Sequence, residues 1–443
     1  MRLHAWLAIC SSSACTTTEN DSTIPFQKNR PPFPDLLASD TSSSYCDITS
    51  GASSSCDSSA ATSSDSLQSN LSLQTLPSVP SLQKLSRETL SLSVSQLCVA
   101  SIKPRSSLPI TCLAVHGNLL YAASSHEINV YDSATSAHLE AFNGQDSSSG
   151  SVKAVTFCDG KVITAHQDCK IRVWQRTATK RHKLLATLPT INDRLRRFVL
   201  PKNYVTVRRH KKRLWIQHAD AVTGLAVNNG LIYSVSWDKS LNVWRASDLR
   251  CVEAIKAHED AVNTVAVSVD GTVYTGSADR RIRVWTKPFG EKRHVLIATL
   301  EKHKSAVNAL ALNDDGSVLF SGACDRSILV WEREDSANYM VVTGALRGHN
   351  KAILCLINVS GLLFSGSADR TIRIWQRGHD ARYCCLSVLD GHRKPVKSLA
   401  AVSEGASNGV VSVFGGTLDG EIKVWQVSVS SLNSPILSSH VLL

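Results

Sequence analysis

The chain has 443 residues, a formal net charge of +11 and 43% hydrophobic residues, a length that would hold two or three ordinary domains. No apolar stretch approaches the roughly 20 residues needed to span a bilayer. The 13 cysteines are odd in number and show no disulfide framework, which argues against a disulfide-rich secreted protein and favours reduced thiols in the cytoplasm or nucleus.

Residues 1–94 are predicted to form a disordered leader. The first 100 residues contain 25 Ser and 9 Thr, and such a composition cannot bury enough apolar surface to offset chain entropy. Within the leader, residues 71–82 are rich in Leu and Pro. We expect this segment to be either a short docking segment or a semi-extended linker. We expect residues 95–430 to form one repeat domain, followed by a tail at 431–443.

A repeat of roughly 40–45 residues runs through this domain, and each copy ends in an apolar strand closed by Trp. The first copy has decayed and ends at Tyr131, and the second ends at Trp174. Clearer copies end at Trp244, Trp285, Trp331 and Trp375, and the last ends at Trp425. The period predicts an all-β protein of seven small antiparallel sheets.

The third to sixth copies carry the sharpest motif. An example is Thr275-Gly-Ser-Ala-Asp279-Arg280-Arg-Ile-Arg-Val-Trp285, which follows His258. The chain thereby resembles the WD40-repeat proteins, and the resemblance implies a seven-bladed β-propeller. It also implies that His, Ser or Thr, Asp and Trp hydrogen-bond to one another within each repeat. The residues concerned are His218, Ser234, Asp238, Trp244, His258, Thr275, Asp279, Trp285, His303, Ser321, Asp325, Trp331, His349, Ser365, Asp369 and Trp375.

Three copies depart from this pattern, which puts their networks in doubt. The seventh has Gly415 in place of the hydroxyl residue, the second has no equivalent His, and the first has lost both Trp and Asp. We also expect residues near 97–102 to supply the outer strand of the seventh blade, because they precede the first inner strand.

A basic insertion follows the second repeat, at residues 176–217. Between Arg176 and Arg213 there are 13 Lys or Arg and one acidic residue, Asp193, a local charge of +12. Its densest part comprises Arg208, Arg209, Lys211, Lys212 and Arg213. Such a cluster suits an acidic protein partner, a nuclear import signal, or phosphates of nucleic acid or lipid; the fourth interpretation is a solvated loop. Sequence-specific reading of nucleic acid is not expected, because no nucleic-acid module is recognisable.

The resemblance implies a contact surface around the narrow end of the central channel. The positions that face it are Gln167, Trp237, Ala278, Cys324, Ala368 and Leu418 in the turns, and Lys153, Thr223, Asn263, Asn308, Leu354 and Lys397 at the start of the inner strands. Among them we single out Trp237, Lys153, Lys397, Asn263 and Asn308 as candidate partner-binding residues, since exposed Trp is a typical interface hot spot. The alternative is that Trp237 packs against the insertion as part of the core.

Catalysis is not expected, and no cofactor or metal site is predicted. The sequence has no phosphate-binding Gly loop with its Lys, no kinase catalytic loop, no nucleophile elbow and no His-Glu-x-x-His. A kinase-associated propeller remains the least favoured interpretation, because the leader is too short for a kinase domain. A substrate receptor of a cullin-type ubiquitin ligase would need Trp-Asp-x-Arg, and the nearest match, Trp331-Glu-Arg-Glu334, ends in an acid.

The insertion adds a narrower resemblance. Residues 188–220 and the segment 73–80 are similar to those of the plant JINGUBANG-like WD40 proteins. That similarity implies a non-enzymatic regulatory scaffold that works with transcription factors or signalling proteins, in germline and stress signalling.

Overall fold

A computed structural model describes residues 92–104, 108–208, 211–333, 340–378, 382–404 and 409–431. These residues form thirty β-strands, one α-helix and two short 3-10 helices. The predicted disorder of the leader falls on residues that lie outside the described ranges, apart from its last three.

Twenty-eight strands form seven four-stranded antiparallel sheets, the blades. Blade 1 contains β2 (Ile110–His116), β3 (Leu119–Ser124), β4 (Glu127–Asp132) and β5 (His138–Phe142). Blade 2 contains β6 (Val152–Cys158), β7 (Lys161–His166), β8 (Ile171–Arg176) and β9 (His182–Leu188), preceded by the 3-10 helix Ser147–Ser149. Blade 3 contains β12 (Val222–Asn228), β13 (Leu231–Ser236), β14 (Ser240–Arg245) and β15 (Cys251–Lys256).

The remaining blades follow the same order from the inner to the outer strand. Blade 4 contains β16 (Val262–Val267), β17 (Val273–Ser277), β18 (Ile282–Thr286) and β19 (Val295–Leu300). Blade 5 contains β20 (Val307–Leu312), β21 (Val318–Ala323), β22 (Ile328–Arg333) and β23 (Met340–Leu346). Blade 6 contains β24 (Ile353–Val359), β25 (Leu362–Ser367), β26 (Ile372–Arg377) and β27 (Tyr383–Leu389). Blade 7 contains β28 (Val396–Glu404), β29 (Val410–Thr417), β30 (Ile422–Ser431) and β1 (Leu92–Ile102).

The seven blades confirm the predicted propeller. The first strand of each blade contacts the first strand of the next, and β2 contacts β28, so the inner strands form a closed ring. The hydrophobic core lies between blades: one cluster joins Tyr274 of blade 4 to Leu319 and Trp331 of blade 5. Each blade therefore buries its faces only against its neighbours, and none has a core of its own.

The ring closes through the first strand of the domain. As expected, β1 pairs with β30, with Cys98 opposite Trp425, and it forms the outer edge of blade 7. The strand starts at Leu92 and β30 ends at Ser431. The strand ends therefore lie slightly outside the boundaries of 95 and 430 drawn from the repeats.

The extra chain after blade 2 is shorter than the sequence suggested. The first part of the predicted insertion at 176–217 contains β9, which is the ordinary outer strand of blade 2. The boundary at 176 was drawn directly after the strand of Trp174 and so took in this outer strand. The true addition begins at Pro189 and contains helix α1 (Ile191–Phe198), the 3-10 helix Pro201–Asn203, and a hairpin of β10 (Tyr204–Arg208) and β11 (Lys211–Leu214).

Deletion of residues 92–102 should open the ring, because β30 then becomes an unpaired edge and the contacts of β1 are lost. We expect the melting temperature to fall by more than about 10 °C, as several kcal/mol are removed from a domain of this size. Differential scanning calorimetry would measure it, with deletion of residues 51–61 as the length-matched control. A melting temperature within a degree or two of the parent would show that the strand does not close the ring.

Candidate partner-binding face and its supporting network

All seven inner strands carry a β-bulge at the same position. In each, the pairing register shifts by one residue near the start of the strand. The residues without a cross-strand partner are Thr111, Lys153, Thr223, Asn263, Asn308, Leu354 and Lys397. A bulge frees its side chain from the alternation of the strand and re-aims it, and six of these seven residues are the predicted inner-strand positions.

The predicted turn residues lie at the same end of the ring as these bulges. Successive strands are antiparallel, so the turns between the second and third strands lie beside the starts of the inner strands. Trp237, for example, donates its backbone N–H to the carbonyl of Ala221, 3.1 Å away, just before β12. We call this end of the ring the channel face.

Two of the five candidate partner-binding residues contact each other on the channel face, and a third, Lys397, acts on one of them through its charge. Nζ of Lys153 lies 5.7 Å from the ring centroid of Trp237, within cation–π range. Both side chains are half-buried, as is Lys397. Burial, and then the charge of Lys397, lower the pKa of Lys153 to about 8. An indole and two ammonium groups, contributed by blades 3, 2 and 7, thus share this face.

The other two candidates are used within the ring. The side-chain amide of Asn263 donates to the carbonyl of Val307 at 2.9 Å, and that of Asn308 donates to the carbonyl of Ile353 at 2.8 Å. Thr223 makes the corresponding bond to the carbonyl of Val262 at 2.6 Å. These side chains join each inner strand to the next, so their donors are not available to a partner in this arrangement.

Beneath the face, the four complete repeats form the same buried hydrogen-bond network. In each, the Trp indole N–H donates to the Ser or Thr hydroxyl at 2.8–3.0 Å. The hydroxyl lies 2.7–2.8 Å from His Nε2. His Nδ1 lies 2.8–3.2 Å from the Asp carboxylate. Because a carboxylate only accepts, Nδ1 donates to Asp, and the hydroxyl donates to Nε2. The structure thus brings together all sixteen residues named for this set.

The Asp residues are held as carboxylates. Burial alone would raise the pKa of Asp279, but the hydrogen bond from His258, electrostatic attraction to its ring, and the backbone N–H groups of Arg281 and Glu259 lower it to about 2. Hydrogen bonding and attraction from the His likewise outweigh burial at the other three sites. They lower the pKa of Asp325 to about 2, and they depress the pKa values of Asp238 and Asp369. A polar chain of this kind is stable only while every member has its partner.

Blade 2 builds a variant of this network that sequence reasoning missed. His166, on strand β7 itself, places Nε2 2.7 Å from the hydroxyl of Thr164, and that hydroxyl accepts from Trp174 at 2.9 Å. Buried Arg172 takes the usual place of His at the turn, with Nη2 2.9 Å from Asp168 and 2.7 Å from Asp146. The signal was the His two residues after Thr in the strand, where the other repeats have Ser or another small residue.

Blade 7 lacks the hydroxyl and leaves its network broken. Among the described residues, both ring nitrogens of His392 and the indole N–H of Trp425 are buried without a hydrogen-bond partner. Thr417 donates to Asp419, which is the acid expected for His392. Burial, with the charge of Lys423, lowers the pKa of His392 to about 4. The doubt raised by Gly415 is therefore reflected in the structure.

A second recurring contact, also missed from the sequence, joins blades at their outer strands. Glu140 of blade 1 lies 2.7 Å from Nδ1 of His182 of blade 2, and Tyr121 lies 3.2 Å from Nε2 of the same ring. Blades 3 and 4 repeat it with Glu253, His294 and Tyr233. In both cases the Tyr precedes the His by 61 residues, a recurrence that the Trp-based alignment did not use.

The basic cluster lies on the β10–β11 hairpin. Lys212 is exposed, whereas Arg213 donates to the carbonyl of His218 at 2.9 Å. Arg209 and the side chains of Arg208 and Lys211 lie outside the described part of the chain. The import-signal interpretation stays a prediction from the sequence.

The residues of the described ranges present no candidate for metal binding or for a membrane-spanning helix. These residues contain no group of three or more His, Cys, Asp or Glu that could hold a metal ion. They also contain no helix long and apolar enough to cross a membrane. The nine described cysteines are all free thiols.

Comparison with known proteins identifies the repeats. Residues 210–245, 249–286, 294–332, 340–376 and 383–426 match the model of the WD domain, G-beta repeat. A segment of 134 residues is 30% identical to Mitochondrial division protein 1 of Schizosaccharomyces pombe, covering 26% of this chain and 20% of that protein. The chain thus spans a small part of that relative.

Replacement of Asp279 by Ala should destabilise the domain by a few kcal/mol, because His258 and the turn N–H groups lose their acceptor. Arg280→Ala on the same turn should have a much smaller effect, because it leaves the network intact. Urea denaturation would compare the two, and equal losses would contradict the buried network.

Since the pKa of Asp279 is depressed in the folded state, the stabilising contribution of its carboxylate is present above about pH 4 and is lost as pH falls towards about 2. The deficit of Asp279→Asn should therefore shrink at about pH 3.

Replacement of Gly415 by Ser should repair blade 7 by giving Trp425 an acceptor and His392 a donor. A Cβ there would lie 2.8 Å from Cδ1 of Ile372 and 3.0 Å from Nε2 of His392, so both side chains must shift slightly. Gly415→Ala is the matched control, because it adds the same Cβ without the hydroxyl. We expect the Ser variant to exceed the Ala variant by about 1 kcal/mol in free energy of unfolding. Equal stabilities would show that the hydroxyl does not join the network.

Proposed function

Because the chain carries WD40 repeats arranged as a seven-bladed propeller, we propose that it is a non-enzymatic protein-interaction scaffold that binds its partners at the channel face. The convergence of Trp237, Lys153 and Lys397 carries the proposal. A half-buried Trp is a common hot spot, since it offers a large rigid surface at little entropic cost. Lys153 over its ring, with Lys397 on the same face, favours a partner with acidic side chains.

The electrostatics of Lys153 support an acidic partner. Burial and the neighbouring charge of Lys397 both disfavour its protonated form. A carboxylate placed between the two ammonium groups would favour that form and relieve their repulsion. Binding would then take up a proton near pH 8, where Lys153 titrates in the free protein.

The core interpretation of Trp237 has less support. Its indole lies outside the described hydrophobic clusters, whereas Trp215, Tyr204, Leu214 and Ile216 of the insertion pack into the cluster between blades 2 and 3. Trp237 is therefore placed to contact a partner while the insertion is held by other residues.

As a finer proposal, the similarity of the insertion to JINGUBANG-like proteins supports partners among transcription factors or signalling proteins. The similarity to the fungal protein lies in a fraction of its length and supports the scaffold alone. In the motif nearest to that of the ubiquitin-ligase alternative, Arg333 pairs with Asp270 at 2.9 Å.

Trp237→Ala and Lys153→Glu should each reduce partner recovery by about tenfold or more with little change in melting temperature, because hot-spot energy is concentrated in few residues. Affinity capture by the full chain with quantitative mass spectrometry would measure recovery. Phe289→Ala is the control, since Phe289 is a fully exposed aromatic in a loop at the opposite end of the ring. Normal recovery with both variants would place the interface elsewhere, and a large loss of stability in Trp237→Ala would support the core interpretation.

A further inference from the structure

Helix α1 exposes an apolar face. Ile191, Leu195 and Phe198 recur at the spacing of one helical face, and they are 73%, 62% and 62% exposed. On a surface helix such a stripe normally packs against the core. Here it faces outward, with Val199 at the helix end 75% exposed as well. A contiguous exposed patch of this kind marks an interaction site.

The opposite side of α1 is fixed to blade 3. Asp193, which is 2% exposed, accepts from Nε of Arg197 at 3.0 Å and from the backbone N–H of Cys251 at 3.1 Å. Arg197 donates to the carbonyl of Cys251 at 3.0 Å and stacks 4.5 Å from the ring centroid of Trp215. The hydroxyl of Thr190 caps the helix. This anchorage holds the apolar side chains of α1 in a fixed orientation.

A groove separates α1 from the β10–β11 hairpin. Its volume is about 350 Å³, and Tyr204 and Leu214 line it together with the apolar face of the helix. Arg194 and Lys212 line it as well. An adjoining cavity of about 560 Å³ shares Ile191, Arg194, Arg213 and Gln217 with it. The site is therefore concave and apolar, with cations along its lining.

The positive charge of this region is not neutralised locally. Asp193, the one acid of residues 189–217, is buried and paired with Arg197. Asp168, which lines the adjoining cavity, is paired with Arg172. Arg194, Arg196, Lys202 and Lys212 are exposed and form no ion pair among the described residues. A second copy of the chain would bring the same cations face to face, and like charges across an interface are costly. Charge complementarity therefore selects an acidic occupant.

We propose that this groove binds a short acidic segment of a partner protein, whose apolar side chains seat against Leu195 and Phe198 while its carboxylates meet Arg194 and Lys212. The spacing of the apolar stripe fits an occupant with large apolar residues at i, i+4 and i+7. The proposal rests on the scaffold function but uses a surface other than the channel face.

Fluorescence anisotropy with the full chain tests it, using a labelled acidic peptide with Leu or Phe at i, i+4 and i+7. A scrambled peptide of the same composition and one with Lys for each acid are the controls. We expect the acidic peptide to bind at least about tenfold more tightly than either. Its affinity should fall as NaCl rises from about 50 to about 300 mM, because exposed charges are screened.

Matched variants locate the binding. Leu195→Ser and Phe198→Ser should each weaken it by about tenfold, and Arg194→Gln with Lys212→Gln should flatten the salt dependence. Arg196→Gln is the control, because it removes an exposed charge of the same helix that does not line the groove. Melting temperatures should be unchanged in all of them, as every replaced side chain is exposed.

Three results would overturn the proposal: equal binding of the scrambled peptide, unchanged affinity in both Ser variants, or binding of phosphatidylserine vesicles without binding of the peptide. Trp237→Ala separates this site from the channel face. It should leave peptide affinity unchanged, so that loss of captured partners with intact peptide binding would support two surfaces. Intact partner capture by Trp237→Ala would overturn the channel-face proposal alone.

Discussion

The pairing of β1 with β30 is the contact on which the rest of the molecule depends. Each blade buries its faces only against its neighbours, so an open end would expose one interblade core and an unpaired strand edge together. The offset between the sequence repeats and the blades makes this pairing of the two chain ends necessary. A matched segment such as 249–286 contains the outer strand of blade 3 and three strands of blade 4. One strand is therefore always missing at one end and surplus at the other.

The repeat pattern predicted the blades and the closure, and the resemblance to WD40-repeat proteins implied the His258–Asp279 type of network, whose residues recur at a fixed distance. A buried His without its acid, or a Trp without its hydroxyl, is costly, so these residues occur together in the sequence. The same logic made blade 7 doubtful at Gly415, and the unpartnered His392 reflects it.

The features that the sequence did not show depend on residues from different positions or repeats that meet only in the folded chain. In blade 2 His166 and Arg172 together replace the usual His, while Asp168 is kept. The Glu140–His182 contact joins residues of different repeats and is invisible within one. The insertion could be recognised by its charge. The direction in which the apolar stripe of Leu195 faces, however, is set by the hydrogen bonds of Asp193 and Arg197 to the backbone of Cys251. Asn263 and Asn308 were expected to meet a partner, and they bond the next blade instead.

The seven inner-strand bulges separate recognition from folding. A bulge residue has no cross-strand partner, so its side chain can be replaced without changing the pairing of its strand. Thr223, Asn263 and Asn308 use this freedom to bond the next blade, whereas Lys153 lies over the indole ring of Trp237. A ring built in this way can acquire a new binding preference by changing a few positions while its architecture stays the same.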